Sequence, residues 1–196
     1  MFTGIIQALG KIESRLDSEH GSVYVFKCTE IDLSDTGIGD SVAVNGVCLT
    51  VIEVGDDFFK ADVSLETLNC TILRDMDVGY QVNLEKALRI NQGIDGHLVS
   101  GHVDGVAEVV SVLKQGESTG FKIKSPKSLV KYIARKGSVC INGVSLTVNS
   151  IESDIFDINI VPHTLSATNL KHLALTDKVN IEVDIIARHL EQLLNN

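Results

Sequence analysis

Two positions in a repeated heptapeptide carry different chemistry. Cys48 lies in Asn45-Gly46-Val47-Cys48-Leu49-Thr50-Val51, and Ser145 lies in Asn142-Gly143-Val144-Ser145-Leu146-Thr147-Val148, with six of seven residues the same. A thiol and a hydroxyl are both potential nucleophiles and proton carriers. A cysteine in an apolar stretch is nevertheless by default a small buried hydrophobe, and Cys28, Cys70 and Cys140 are read that way. No Cys-His-Asn order of a protease and no GxSxG elbow is present, so nucleophilic hydrolysis has little support.

Histidine supplies the other candidates. His97 and His102 fall within Gly96-His97-Leu98-Val99-Ser100-Gly101-His102-Val103-Asp104-Gly105. A spacing of five fits neither a zinc helix nor a compact metal motif, so no metal is expected. The glycines do not form GxGxxG entering a helix, which argues against a dinucleotide fold. A run of this kind leading into a strand lets a ligand approach the backbone closely. His102 stands where the first copy has Ile5, so the fold itself does not demand histidine there, and a functional reading of His102 gains weight.

The repeated positions lie 97 residues apart, and the same offset pairs Gly4 with Gly101, Thr67-Leu68 with Thr164-Leu165, Val82-Asn83 with Val179-Asn180, and Glu85 with Glu182. A constant offset over that length means two copies of one fold with almost no net insertion. The expected division is an N-terminal barrel over 1–96, a C-terminal barrel over 97–183 and a closing helix over 184–196. Within each copy, short β-branched runs bounded by turn residues predict about six strands, including Val47 to Val54, Phe58 to Val63 and the alternating Gln81-Val82-Asn83-Leu84-Glu85. Six short strands in under 100 residues suggest a small closed barrel, which removes exposed edges.

A helix is predicted after Ser125-Pro126, ending before Gly137. The closing helix places Ile186, Leu190, Leu193 and Leu194 on one face, which suits packing on its own barrel or an oligomer contact equally. The strand ends Asp62 to Thr67 and Asn159 to Thr164 are polar and read as turns, or as two related rims holding two related ligands. Two sites facing one another across two barrels would hold two copies of one substrate for reaction.

Composition narrows the partners. The chain has 196 residues, a formal charge of −9 and 44% hydrophobic residues, which argues against nucleic acid or an anionic membrane as partner. It lacks an apolar run of about 18 residues and a signal-peptide start, so a cytoplasmic protein with reduced thiols is expected.

Met1-Phe2-Thr3-Gly4-Ile5-Ile6, the paired NGVCLTV and NGVSLTV, Gly96 to His102, and Val82-Asn83-Leu84-Glu85 together resemble the riboflavin synthase family of the alpha-chain type, over essentially the whole chain. The resemblance implies an all-β protein of two tandem six-stranded antiparallel Greek-key barrels with short helices. It implies dismutation of two 6,7-dimethyl-8-ribityllumazine molecules to riboflavin and 5-amino-6-ribitylamino-uracil by transfer of a four-carbon unit, without cofactor. It also implies a homotrimer held by the C-terminal helix, an active site between subunits, and a possible association with lumazine synthase.

Carried over by position, the first-barrel pocket takes Gly4, Ile5 and Ile6, Cys48, Leu49 and Thr50, and Asp62, Val63, Ser64, Leu65, Glu66 and Thr67, with Ser41 and Phe2. The second-barrel pocket takes Gly101, His102 and Val103, Lys136, Ser145, Leu146 and Thr147, and Asn159, Ile160, Val161, Pro162, His163 and Thr164. Cys48, Ser41 and Thr50 are expected to manage the first ligand, while His102 and Thr147 move protons at the second. Asp95 and Asn142 depart from the family pattern, which commonly has glycine and aspartate there. The competing reading is a non-catalytic lumazine- or flavin-binding antenna protein, disfavoured because Cys48, Ser41, His97 and His102 are all present.

Overall fold

Short alternating strands close on themselves twice in the computed structural model, which describes residues 1–194. The first barrel comprises β1 (Ala8–Ser18), β2 (Gly21–Lys27), β3 (Ser41–Val44), β4 (Val47–Val54), β5 (Phe58–Ser64) and β6 (Gln81–Lys86). The second comprises β7 (Gly105–Gln115), β8 (Ser118–Lys124), β9 (Ser138–Ile141), β10 (Val144–Glu152), β11 (Ile155–Ile160) and β12 (Lys178–Val183). Strand order around the first is β1-β2-β5-β4-β3-β6, and the second repeats it with every strand shifted by six. Three hairpin-linked strands followed by one that returns beside the first of them is a Greek key.

Even the irregularities repeat. The β1–β2 register breaks between Ile12 and Ser14, and β7–β8 breaks between Val109 and Ser111. The β4–β5 register breaks between Val51 and Glu53, and β10–β11 between Val148 and Ser150. Such bulges add the local bend that a narrow barrel needs to close. Tyr24, Phe26, Phe59 and Leu84 fill the first core, and Ile123, Ile141, Phe156 and Leu170 the second.

Some local expectations change. The strand ends read as turns carry short helices, α1 (Leu65–Cys70) and α2 (Pro162–Ala167). Ser64 caps α1 by accepting from the Thr67 amide at 3.1 Å, and proline begins α2. The helix expected after Ser125 is instead a 3-10 segment, Lys127–Tyr132, whose start has no side-chain cap. The closing helix is α3 (Ile185–Leu194); the last two residues of its expected span lie outside the described residues. Strand β6 is buried on both faces because Val82 and Leu84 face their own core, while Asn83 and Glu85 face the seam and the chain's N-terminal segment.

The barrels meet back to back through their Asn-Gly turns. Asn45 and Asn142 both have φ of 46°, and a Cβ on Gly46 would lie 2.7 Å from the Gly143 nitrogen. Only glycine tolerates that approach. Asn83 Nδ2 donates to the Asn142 carbonyl at 2.8 Å, and Asn180 Nδ2 donates to the Asn45 carbonyl at 2.9 Å. Asn142 Oδ1 accepts from the Asn180 amide at 2.8 Å, the same bond that Asn45 Oδ1 makes with Asn83. An acceptor is therefore what this position requires, and the amide meets that requirement without placing a charge in the seam.

Candidate ligand-binding sites

The heptapeptides lie on β4 and β10, and alternation decides which side chains leave the barrel. Leu49 and Val51 point into the first core and Leu146 and Val148 into the second, so Cys48, Thr50, Ser145 and Thr147 point outward. Ser41 stands opposite Thr50, and Ser138 opposite Thr147. The β4–β5 ladder is paired only from Val51 opposite Ala61 toward Val54, and the β10–β11 ladder only from Val148 opposite Ile158. Beyond those pairs the ladder ends, so Val47 to Thr50 make no strand pairing with Asp62 to Ser64. The ladder breaks at the equivalent place in both barrels, a gap in the strand pairing beside the heptapeptide.

Each gap is bordered by a segment from the other half of the chain. The Cys48 amide donates to the Gly101 carbonyl at 2.8 Å, and the Ser145 amide donates to the Gly4 carbonyl at 2.8 Å. Phe2 and Val99 form a two-way backbone bridge between the crossing segments. Ile6 packs against the second core and Val103 against the first. This corrects the grouping carried over from the resemblance: Gly101, His102 and Val103 border the Cys48 site, and Gly4, Ile5 and Ile6 border the Ser145 site. His102 therefore belongs with Cys48, away from Thr147.

Two buried glutamates hold the crossing segments in place. Glu85 accepts from the Thr3 amide and hydroxyl, each at 2.7 Å, and from the Gly4 amide at 3.0 Å. Glu182 does the same for Ser100, at 2.7 and 2.6 Å, and for Gly101 at 3.0 Å. Burial raises both carboxyl pKa values, and these hydrogen bonds oppose it. The glycines they position have φ of +75° and +80°, and a Cβ on either would sit 2.6 Å from the Cβ of Ser145 or Cys48.

His97 stands behind Ser145. Its Nδ1 lies 2.6 Å from Ser145 Oγ, its amide donates to the Thr3 carbonyl at 3.1 Å, and its Nε2 is buried without a partner. Burial lowers its pKa, with Asp184 opposing, so the imidazole is neutral at pH 7.

The remaining candidates divide by direction. Asp62, Ser64, Leu65, Glu66, Lys136, Asn159, Val161, Pro162 and His163 are exposed, and Thr67 and Thr164 half-buried. Asp62, Val63 and Ser64 border a cavity of about 370 Å³ shared with Ser18, His20 and Gly21. The side chains of Leu49, Val63, Leu146 and Ile160 belong to the barrel cores, so only their backbones are free to border a ligand. Phe2 is fully buried in the seam with Ala43, Val99 and Cys140. Cys28 and Cys140 are buried as expected, whereas Cys70 is half-buried, its Sγ 3.5 Å from Glu66.

Sequence reasoning left out Glu85 and Glu182 as site-builders, and it named His97 as a candidate without giving it a place in either pocket. A signal existed for the glutamates, since both copies repeat an asparagine and a glutamate inside an otherwise apolar strand. Among the described residues no group of three or more metal-ligating side chains converges, and no helix is long and apolar enough to cross a membrane.

The lumazine binding domain matches this chain twice, over residues 3–87 and 100–184. The riboflavin synthase of Photobacterium leiognathi is 44% identical over 99% of this chain and 89% of its own length. That of Bacillus subtilis is 41% identical over 100% of this chain and 90% of its own. Crystal structures of LumP superpose with TM-scores of 0.87 for its riboflavin complex, at 30% identity, and 0.84 for its 6,7-dimethyl-8-(1'-D-ribityl) lumazine complex, at 28%. Each covers 93% of this chain and 99% of LumP.

Proposed function

Since the chain belongs to the lumazine binding domain family, we infer that each barrel holds one 6,7-dimethyl-8-ribityllumazine and that the protein performs the riboflavin synthase reaction. Two lumazines dismutate, one giving up a four-carbon unit to the other, to yield riboflavin and 5-amino-6-ribitylamino-uracil. The observation that carries the reading is the duplication of one outward gap, built alike on β4 and β10 and bordered alike by a crossing glycine. One chain thereby offers two places for one kind of ligand, and holding two flat rings in register removes most of the entropic barrier between them.

The C7 methyl of the lumazine is acidic because its carbanion delocalises into the pteridine ring. One ligand is deprotonated there while the other accepts a nucleophile. Cys48, Ser41, Thr50 and His102 serve the first-barrel ligand by addition, by activating water or by hydrogen bonding. Ser145 and Thr147 serve the second. Asp62 to Thr67 and Asn159 to Thr164, with Lys136, border the ligands' polar parts.

The reacting pair comes from barrels of neighbouring subunits in a homotrimer. Support lies in α3, whose Ile186, Leu190, Leu193 and Leu194 are exposed along one face. Its charged side is tied to its own barrel by Arg188 to Asp104 and by Glu191 to Lys131 and Tyr132. Sedimentation of a Leu190→Asp variant is expected to show smaller particles with little turnover. A cytoplasmic location, a boundary between the barrel domains near 96 and 97, and a possible association with lumazine synthase complete the reading.

The deciding test incubates purified protein with the lumazine anaerobically, with chelator and no added cofactor, and follows riboflavin absorbance. Riboflavin at half the molar amount of lumazine consumed is the expected result. Tight fluorescent binding without turnover would mean an antenna protein instead.

A further inference from the structure

We propose that His97, acting through Ser145, takes the C7-methyl proton of the lumazine held by the second barrel. The inference rests on the ligand placement given above and deepens it by assigning a base to that site. Within one chain the segment carrying His102 borders the Cys48 site, so it places no histidine at that chain's own second site. The geometry supplies another in its place.

Ser145 is half-buried on the outer wall of β10, next to the exposed Thr147, so its hydroxyl borders the gap. Its Oγ lies 2.6 Å from His97 Nδ1. The imidazole has no other side-chain partner for its Nε2, which is buried. A buried polar atom left without a partner costs free energy, so a packing role alone gives a poor account of histidine here. The charged group that faces the ring is Asp184, whose carboxylate favours an added proton. The backbone before the ring is held close to the first segment, a Cβ on Gly96 falling 2.1 Å from the Thr3 carbonyl oxygen. The residue is half-buried, with its imidazole neutral at rest and one nitrogen against the serine.

The step balances simply. The C–H bond of the C7 methyl breaks and its electron pair enters the pteridine ring. The proton goes to Ser145 Oγ as the serine's own proton passes to His97 Nδ1. Asp184 stabilises the imidazolium until the proton is returned to the second product. His97 is a positioning residue in this scheme, since Ser145 is the group that touches substrate.

The experiment measures exchange of the C7-methyl protons in D2O by proton NMR, alongside turnover and riboflavin affinity, for wild type, His97→Ala, His97→Asn and Ser145→Ala. The expected result is a loss of about 10²- to 10⁴-fold in both kcat and the enzyme-catalysed exchange for all three variants. Riboflavin affinity should change less than about threefold, following the general-base range rather than a binding loss. Asparagine keeps a hydrogen-bonding amide near the Nδ1 position but cannot take a proton. Rescue of exchange by His97→Asn would reduce the histidine to a hydrogen-bonding prop and overturn the proposal. Wild-type exchange in Ser145→Ala would overturn it as well, even were the His97 variants to misfold. Absence of riboflavin formation by the wild type would instead sink the synthase reading, while the exchange assay would still judge the pair.

Discussion

The two barrels share strand order, bulges, Asn-Gly turns and a glutamate clamp, yet they present different chemistry to their ligands. The first site joins Cys48 to the segment carrying His102, and the second joins Ser145 to the segment carrying Ile5, with His97 behind it. Each site is thus assembled from both halves of the chain. Duplication preserved the scaffold, and the crossing of the segments let each copy change its partner's site without disturbing its own core. Residues placed together by sequence alignment are, at these two loops, on opposite sites in space.

The largest expected effects test the crossing directly. Gly101→Ala forces a Cβ to 2.6 Å from the Cys48 Cβ at a φ of +80°, and Gly4→Ala does the same at Ser145 with φ of +75°. The left-handed backbone alone costs about 1–2 kcal/mol for a non-glycine residue. A shift of about 1 Å in the crossing segment costs about 10²-fold in rate, so turnover should fall at least that far in both variants. Fluorescence titration with riboflavin separates them. Gly101→Ala should weaken the site that a Cys48 variant weakens, and Gly4→Ala the site that a Ser145 variant weakens. The uncrossed pairing would break the comparison.

The clamps come next. Glu182→Gln should damage the Cys48 site and Glu85→Gln the Ser145 site, although each glutamate lies in the opposite barrel. An amide keeps one acceptor but turns an NH2 toward a backbone donor, so each change is expected to cost about 1–3 kcal/mol of stability. Chemical denaturation gives the magnitude, and the same titration gives the site affected. Equal damage to both sites by either variant would mean that the clamps hold the seam as a whole.

How much of this was legible in the sequence follows from the same comparison. The offset of 97, the strands and the closed barrels could be read because alternation and turn residues are local signals. The outward direction of Cys48, Thr50, Ser145 and Thr147 follows from strand parity. The crossing left no trace, because a segment that packs on its own barrel and one that packs on its copy have the same local pattern. Glu85 and Glu182 were visible as repeated residues but not as clamps, since their partners lie about 80 residues away in the chain. Helices α1 and α2 were missed because six residues are too few for a helical period to show. The 3-10 segment after Pro126 carries helical apolar spacing but no cap to start an α-helix.

A smaller effect probes the seam, where the copies differ at Asn169 and its counterpart Ile72. Asn169 Nδ2 donates to Asn45 Oδ1 at 3.0 Å and to the Gln81 carbonyl at 3.1 Å, while its Oδ1 is buried with no partner. Asn169→Ile makes the seam more symmetric. It removes two hydrogen bonds but also an unsatisfied acceptor, and Asn45 Oδ1 keeps the Asn83 amide. The net change in unfolding free energy should be within about 1 kcal/mol, with both ligand sites intact. A loss well above that would make Asn169 a keystone that the first copy lacks.

The smallest effect is a difference in pH response between the halves. Burial raises the folded-state pKa of Glu85 and Glu182, so their contribution is greatest below the ordinary carboxylate range and is lost as pH rises through the raised values. That behaviour is shared by both copies and leaves them alike. His97 breaks the symmetry, because its folded pKa is lowered and the unfolded chain takes up a proton first as pH falls. Its contribution is present above the ordinary histidine value of about 6.5 and is lost on descending through that value toward the lowered one. Denaturant unfolding of wild type and His97→Ala across pH 7.5 to 5.5 should therefore converge as pH falls, the wild type losing stability faster. The slope belongs to the second barrel alone, so a Glu85 or Glu182 variant should keep it. Parallel curves for wild type and His97→Ala would mean that folding leaves the imidazole's proton affinity unchanged. Curves that diverge as pH falls, the wild type gaining, would mean that the imidazole is protonated in the folded protein, so that the base assigned to the second ligand would already carry its proton at rest.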